Sequence, residues 1–451
     1  MNSLSKVLFA FLFLGIVSCQ QEKEEPQSLD DTLTLLLKEQ SKGQGLSYFQ
    51  LPDGADLNQI PQDPNNPINE NMVSLGKLLY HDPCIGTSPN VQENRMTYSC
   101  ASCHHVEAGF QAGIRQGIGE GGIGFGPKGT QRQANPAMNE SDLDVQPVRS
   151  PSTLNSAYQL NMLWNGQFGA TGHNINTQRE WKEGTPIFNN HLGYEGVEIQ
   201  AIAGLTVHRM VIDKEGLYTM GYEGKFESAF PNWDDEKRFS AEGAGLAIAA
   251  YERTLLANEA PFQKWLKGDA SALTPDQKQG AILFFGKAGC VSCHTGPALS
   301  SNDALEEMDA FHALGMGDLR GGDVVIDATT AQQPDFGRGG FTKAFDDRFT
   351  FKTPQLYNLK DVSFFGHGGT FRSIKEVVEY KNNAVPENPA VTEEFLSPLF
   401  TPLNLSDEEV QQLSSFLEEA LYDPNLKRYV PESLPSQMNF PNNDPVSNSE
   451  L

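Results

Sequence analysis

Cys100-Ala101-Ser102-Cys103-His104 and Cys290-Val291-Ser292-Cys293-His294 are two copies of one pattern in a single chain. In each, one tight turn brings two thiols to a common edge and sets an imidazole directly after them. Covalent attachment of a c-type haem needs this arrangement: both sulfurs add to the haem vinyl groups, and the next residue reaches the iron from the proximal side. A thioredoxin-like pair does not require the trailing histidine and expects a βαβ setting, which is missing. A zinc site would bring two Cys-x-x-Cys pairs close together in sequence, whereas these lie far apart, each with its own histidine. The reading is two haems c, bound through Cys100, Cys103, Cys290 and Cys293, with His104 and His294 as iron ligands. Of the six cysteines, Cys84 is left as a buried thiol, and Cys19 is assigned to lipidation.

Outward from the motifs, the surroundings repeat weakly. Leu75-Gly76-Lys77-Leu78-Leu79-Tyr80 precedes the first and has a helical look. Gly280-Ala281-Ile282-Leu283-Phe284-Phe285 precedes the second, behind a capping box of Thr274 with Gln277 and a proline, Pro275, at the first helical position. Ser406 with Glu409 opens another helix, along which Val410, Leu413, Phe416, Leu417 and Leu421 recur at helical spacing. A further helix is expected from Ser240 to about Ala257. Gly113 to Gly129 reads as loop, and few stretches alternate as strands do. The fold class expected is mainly α: two loop-rich cytochrome c-like domains, each with one covalent haem.

The chain has 451 residues, which suits two domains at roughly 100–200 residues each. Lys6 followed by the apolar run Val7 to Val17 has signal-peptide length, too short for a comfortable span. It ends in Ile16-Val17-Ser18-Cys19, which resembles a lipobox. The expected organisation is a lipoprotein signal peptide over 1–19, a flexible tether over 20–45, an N-terminal haem domain over 46–258, a C-terminal haem domain over 259–428 and a disordered tail over 429–451. Export would place the protein on the periplasmic or cell-surface side, anchored through a lipidated Cys19 rather than spanning the membrane. Net charge is −25, so phosphates are repelled and nucleic acid is excluded as a partner.

These segments together resemble the bacterial di-haem cytochrome c peroxidase family, which includes the methylamine-utilisation di-haem enzyme. The resemblance runs from about residue 70 to 425. It is carried by Leu75-Gly76-Lys77 through Asp82-Pro83, Arg149-Ser150-Pro151 with Trp164-Asn165-Gly166, and Tyr251-Glu252-Arg253-Thr254. It continues with Gly296-Pro297 behind the second haem motif, Phe311-His312-Ala313-Leu314-Gly315, Phe351 to Asn358 and His367-Gly368-Gly369. The resemblance implies hydrogen peroxide reduction at the N-terminal haem. A small cytochrome or copper protein would donate electrons at the C-terminal haem, and they would cross near Trp164. Two alternatives stay open: an oxidase that modifies a protein or small molecule, and a non-catalytic di-haem electron carrier. A homodimer is compatible with the family.

The family's pocket uses a Gln and a Glu. Gln200 matches the Gln. No carboxylate lies between Val207 and Met210, and His208 is the acid–base substitute in that gap. The loop from Gly109 to Arg132 holds no histidine to block the first iron. For the second haem, alignment from His367 puts the family's Met or Tyr ligand at Lys381, with Tyr380 beside it and Met316 as a lower-ranked alternative. The family also binds calcium between its domains. The matching positions here are Ser150, Val362 and Phe364, so only backbone carbonyls remain to bind that ion.

Overall fold

The computed structural model describes residues 28–301 and 310–450; the signal peptide and Cys19 lie outside the described residues. The described chain is mainly helical, with many single 3-10 turns. Its only ladders are two residues long: Gly122–Ile123 antiparallel to Gln133–Ala134, and Phe311–His312 antiparallel to Phe351–Lys352.

In the first half, the helix Glu70–His81 starts at Asn69, whose side chain accepts from the Met72 N–H. Met72, Leu75, Gly76 and Leu79 fall on one stripe and are buried. That stripe crosses the helix Ala241–Arg253 at Gly76. A Cβ there would lie 1.8 Å from the Ala247 carbonyl oxygen, so only glycine permits the approach. Ala241–Arg253 is capped by Ser240 and buried along most of its length, because the helix Gly196–Val207 covers a second face at Gly245. Arg253 ties these helices together. Its guanidinium donates to both Glu198 oxygens at 2.8 and 2.6 Å and to Glu195 at 2.9 Å, with Arg253 and Glu198 fully buried.

The second half repeats the device. The helix Pro275–Phe285 carries the Thr274–Gln277 capping box and crosses the helix Asp407–Ser415 at Gly280, where a Cβ would lie 2.1 Å from the Gln412 carbonyl oxygen. Asp407–Ser415 has the Ser406–Glu409 box and runs into a π-helical turn, Phe416–Ala420.

Two segments expected to lack structure are packed. From Ser28 the tether region forms a helix, Leu29–Gln40, burying Leu33 and Leu37; Asp30 accepts from Trp265 Nε1 at 2.7 Å and pairs with Lys278 at 2.8 Å. A leucine stripe at i, i+4 sits inside a polar composition, and composition alone hides it. Residues onward to Leu51 also pack on the second half, where Leu51 N–H donates to Gln263 at 2.8 Å. At the other end, the expected disordered tail lies on the first half. Ser99 Oγ donates to the Pro441 carbonyl at 2.8 Å, Asp444 pairs with buried Arg132 at 3.7 Å, and Glu450 accepts from Phe125 and Gly126 N–H at 2.8 Å. Polar docking holds this strap, and it leaves no hydrophobic period in the sequence.

Candidate active site and haem motifs

Both Cys-x-x-Cys-His stretches fold into the same turn. In the first, Cys103 N–H and His104 N–H both donate to the Cys100 carbonyl at 3.2 and 3.0 Å; in the second, Cys293 and His294 donate to Cys290 at 3.2 and 2.9 Å. All four cysteines are free thiols. His104 Nδ1 donates to the Phe110 carbonyl at 3.2 Å, and His294 Nδ1 to those of Leu299 and Pro354 at 3.0 and 3.1 Å. Phe110 and Leu299 both take positive φ, 56° and 47°, to turn those carbonyls toward the ring. A donated Nδ1–H fixes the tautomer in which Nε2 keeps its lone pair. Burial holds both imidazoles neutral, each near a pKa of about 4.

Beside the first motif lies a partly open pocket. Cys100, Cys103 and His104 line one part of it, while Gln200, His208, Asp144 and Glu252 line others. Gln200 projects from Gly196–Val207 and His208 is that helix's C-cap residue. Glu252 comes from Ala241–Arg253, and Asp144 from the loop after Asn139. Sequence reasoning brought Gln200 and His208 to this place but missed both carboxylates. Glu252 stood inside a quoted segment, Tyr251-Glu252-Arg253-Thr254, whereas Asp144 carried no local signal.

His208 Nδ1 lies 2.8 Å from Asp144 Oδ2. Burial pulls the His208 pKa down, but the charge and hydrogen bond of Asp144 outweigh it and raise it above the ordinary value. Burial pushes Glu252 up to about 8. Gln200 Oε1 and Glu252 Oε2 are buried with no hydrogen-bond partner. Orphaned polar atoms of this kind mark a place built for a bound group. Two free thiols, a neutral imidazole with a lone pair and a cavity with unpaired polar atoms fit a covalently held haem.

Trp164 sits between the halves. Its Nε1 donates to the Arg149 carbonyl at 2.8 Å, and its own carbonyl accepts from Lys352 N–H at 2.7 Å. The indole meets the His367 ring edge-on at 6.4 Å, and His367 stacks on Phe351 at 3.7 Å. Around the second motif, the three ligand candidates part ways. Lys381 Nζ lies 5.8 Å from the centre of the Phe400 ring. The Tyr380 hydroxyl donates instead to the Leu314 carbonyl at 2.5 Å, with its ring between Phe371 and Phe400. Met316 Sδ lies under Gly366, 3.2 Å from where a Cβ would stand.

Residues 70–271 match the family model described as di-haem cytochrome c peroxidase. The methylamine utilization protein MauG of Methylorubrum extorquens is 27% identical over 367 residues, covering 81% of this chain and 82% of that protein. The cytochrome-c peroxidase IdrP1 of Pseudomonas sp. strain SCT is 28% identical over 390 residues, covering 81% and 85%. Among solved structures, a MauG-like protein associated with microbial copper homeostasis superposes with a TM-score of 0.55 at 22% identity, over 83% of this chain and 95% of that one. Sequence, fold and the two repeated motifs thus make the chain similar to di-haem cytochrome c peroxidases, the family whose model residues 70–271 match.

Proposed function

We propose that the protein reduces hydrogen peroxide to water in the cavity beside Cys100, Cys103 and His104. The observation that carries this reading is the convergence of Gln200 and the Asp144–His208 pair on the cavity that the motif lines. Two electrons and two protons turn one peroxide into two waters. A haem at each motif supplies the one-electron steps when bound, with Cys100 and Cys103 or Cys290 and Cys293 as its tethers and His104 or His294 as its iron ligand.

The remaining work falls to side chains. Asp144 accepts the Nδ1 proton of His208 and fixes its tautomer. Neutral His208 then has Nε2 available to take a proton from one peroxide oxygen and return it to the other, which is what breaking the O–O bond unevenly requires. The Gln200 amide orients the peroxide. Electrons from a small cytochrome or copper protein enter at the second motif and cross by way of Trp164.

This reading also takes the two halves as cytochrome c-like units and the protein as exported and held by a lipid on Cys19. No described helix is long and apolar enough to cross a membrane. A calcium ion between the units would rest on backbone carbonyls, and a homodimer remains compatible. Steady-state oxidation of a reduced cytochrome c by haem-loaded protein tests the function. Peroxide-dependent turnover without prior reduction is expected, because no histidine of the 109–132 loop closes the site. Absent turnover would move the assignment to a protein-modifying oxidase or an electron carrier.

A further inference from the structure

We propose that Arg149 and Lys352 are equivalent anchor cations, one in each half, that hold the propionate carboxylates of the haem on their own half's motif. The proposal rests on the di-haem reading above and goes further, to the residues that meet the haem's charged edge.

The two halves share a segment beyond the haem motifs. Arg149-Ser150-Pro151 and Lys352-Thr353-Pro354 each run cation, hydroxyl, proline. At the same spacing after them stand Asn155 and Asn358, both left-handed with φ of 58° and 56°. Each opens a 3-10 turn, Ser156–Tyr158 or Leu359–Asp361. Two antiparallel bridges follow, Met162 with Phe168 and Phe365 with Phe371, and they hold Trp164 and His367 at matching positions. The copies are joined reciprocally. Arg149 N–H donates to the His367 carbonyl at 2.9 Å, and Lys352 N–H donates to the Trp164 carbonyl at 2.7 Å. Arg149 and Lys352 are therefore one position of a repeat, met twice, on either side of the Trp164–His367 contact.

Each segment also reaches its own haem motif. Thr153 N–H donates at 3.1 Å to the Phe110 carbonyl, which takes His104 Nδ1–H. The Pro354 carbonyl takes His294 Nδ1–H at 3.1 Å.

Neither cation is matched by an acid. Arg149 is 4% exposed, and its Nε has no hydrogen-bond partner. Its Nη2 donates to the Gln111 amide oxygen at 2.5 Å. Lys352 is half-buried, and its Nζ donates to the Gln159 amide oxygen. Among the described residues neither enters an ion pair, whereas Arg115, which adjoins Gly369 as Arg149 does, pairs with Asp323 at 3.1 Å. An amide oxygen satisfies a donor but leaves the charge uncompensated, which is costly away from water. A haem c brings two carboxylates on the ring edge away from its thioethers, and these supply the missing negative charge. A guanidinium grips a carboxylate through parallel N–H donors, of which the unpartnered Nε is one. Lysine meets it as a point charge. Clamping the halves together does not account for either side chain, because the reciprocal bonds are made by the main chain. A cation on a propionate offsets its charge and favours the ferrous state, so the two residues tune the haem potentials on either side of Trp164.

The test uses the full-length, haem-loaded protein, read by redox titration and by resonance Raman of the ring–propionate bending bands. Arg149→Gln should lower the midpoint potential of the first haem and shift its propionate bands, with the second haem as in the parent. Lys352→Met should do the converse. Arg149→Lys and Lys352→Arg keep the charge and should restore most of each shift. A potential that falls while the propionate bands stay in place would mean a distant charge and overturn the proposal. So would Arg149→Gln acting on the second haem alone. If a variant does not load haem, the parent decides: bands of ion-paired propionates support the anchors, and bands of solvent-exposed propionates overturn them. Added acetate should leave the parent's potentials unchanged; a dependence on acetate would give the cations to a free carboxylate instead of the haem. A parent carrying one haem would remove both this proposal and the di-haem reading. Two haems with the expected shifts and no peroxide turnover would support the anchors and overturn the peroxidase reading alone.

Discussion

Asp144 Oδ2 and His208 Nδ1 lie 2.8 Å apart although 64 residues separate them in sequence. The pair supplies the first cavity with a carboxylate-oriented imidazole where the gap from Val207 to Met210 has no acid. His208→Ala should lower peroxide turnover about 10²- to 10⁴-fold, the usual worth of a positioned acid–base group. Steady-state kinetics on haem-loaded variant and parent checks this, and an unchanged rate would remove His208 from the chemistry.

Asp144→Asn should act through His208 and therefore show in the pH profile. Asp144 raises the His208 pKa against a burial effect that lowers it. If neutral His208 is the working form, activity falls as pH falls through that pKa. Removing the carboxylate should shift this acid limb to lower pH and reduce the maximal rate. For stability the sign is the reverse. The pair's contribution is full below the unfolded histidine pKa of 6.5 and is lost as pH rises through the higher folded value. A limb that does not move in Asp144→Asn would contradict the coupling.

Glu252 makes a separate prediction. Burial holds its carboxyl near a pKa of about 8 against 4.5 when unfolded. Between those values the folded protein binds the extra proton, so its contribution to stability is full below 4.5 and declines as pH rises toward 8. The slope from this group reaches about 1 kcal/mol per pH unit within that window. Glu252→Gln should flatten the fall in denaturation midpoint across it, and a slope equal to the parent's would place the proton elsewhere.

Arg253 is buried with its charge on Glu198, which also accepts from Asn66 Nδ2 at 3.3 Å. Arg253→Ala leaves Glu198 charged and unpaired in the core, a loss of about 3–5 kcal/mol. Gln200 and Glu252 stand on the two helices that this pair joins, so activity should fall with stability. Chemical denaturation measures the first directly.

The strap over 430–450 should protect the first motif. Deleting it removes Pro441 from Ser99, Asp444 from Arg132 and Glu450 from the turn at Phe125. Amide hydrogen exchange in residues 99–104 and 117–132 should then speed up, while exchange in the helix Pro275–Phe285 should not.

The parts legible in sequence were those set by local rules. Capping boxes at Thr274 and Ser406 and apolar spacing after Val410 located their helices, because neighbouring residues determine caps and periods. Gly76 and Gly280 stand inside stretches that read as helical, and what they do there depends on carbonyls contributed by distant helices. The same holds for Asp144, which nothing near it marks as a partner of His208. Polar straps such as 430–450 read as disorder, since they dock through individual hydrogen bonds rather than a periodic apolar face.

The central claim is that peroxide reacts at the first motif and that electrons enter at the second. The most direct measurement is peroxide-dependent donor oxidation by full-length protein with Cys100 and Cys103 replaced by Ser, so that only the second motif can hold haem covalently. The account predicts that the second haem's spectrum persists while turnover is lost. Turnover at the parent's rate would contradict it and place the chemistry at Cys290, Cys293 and His294.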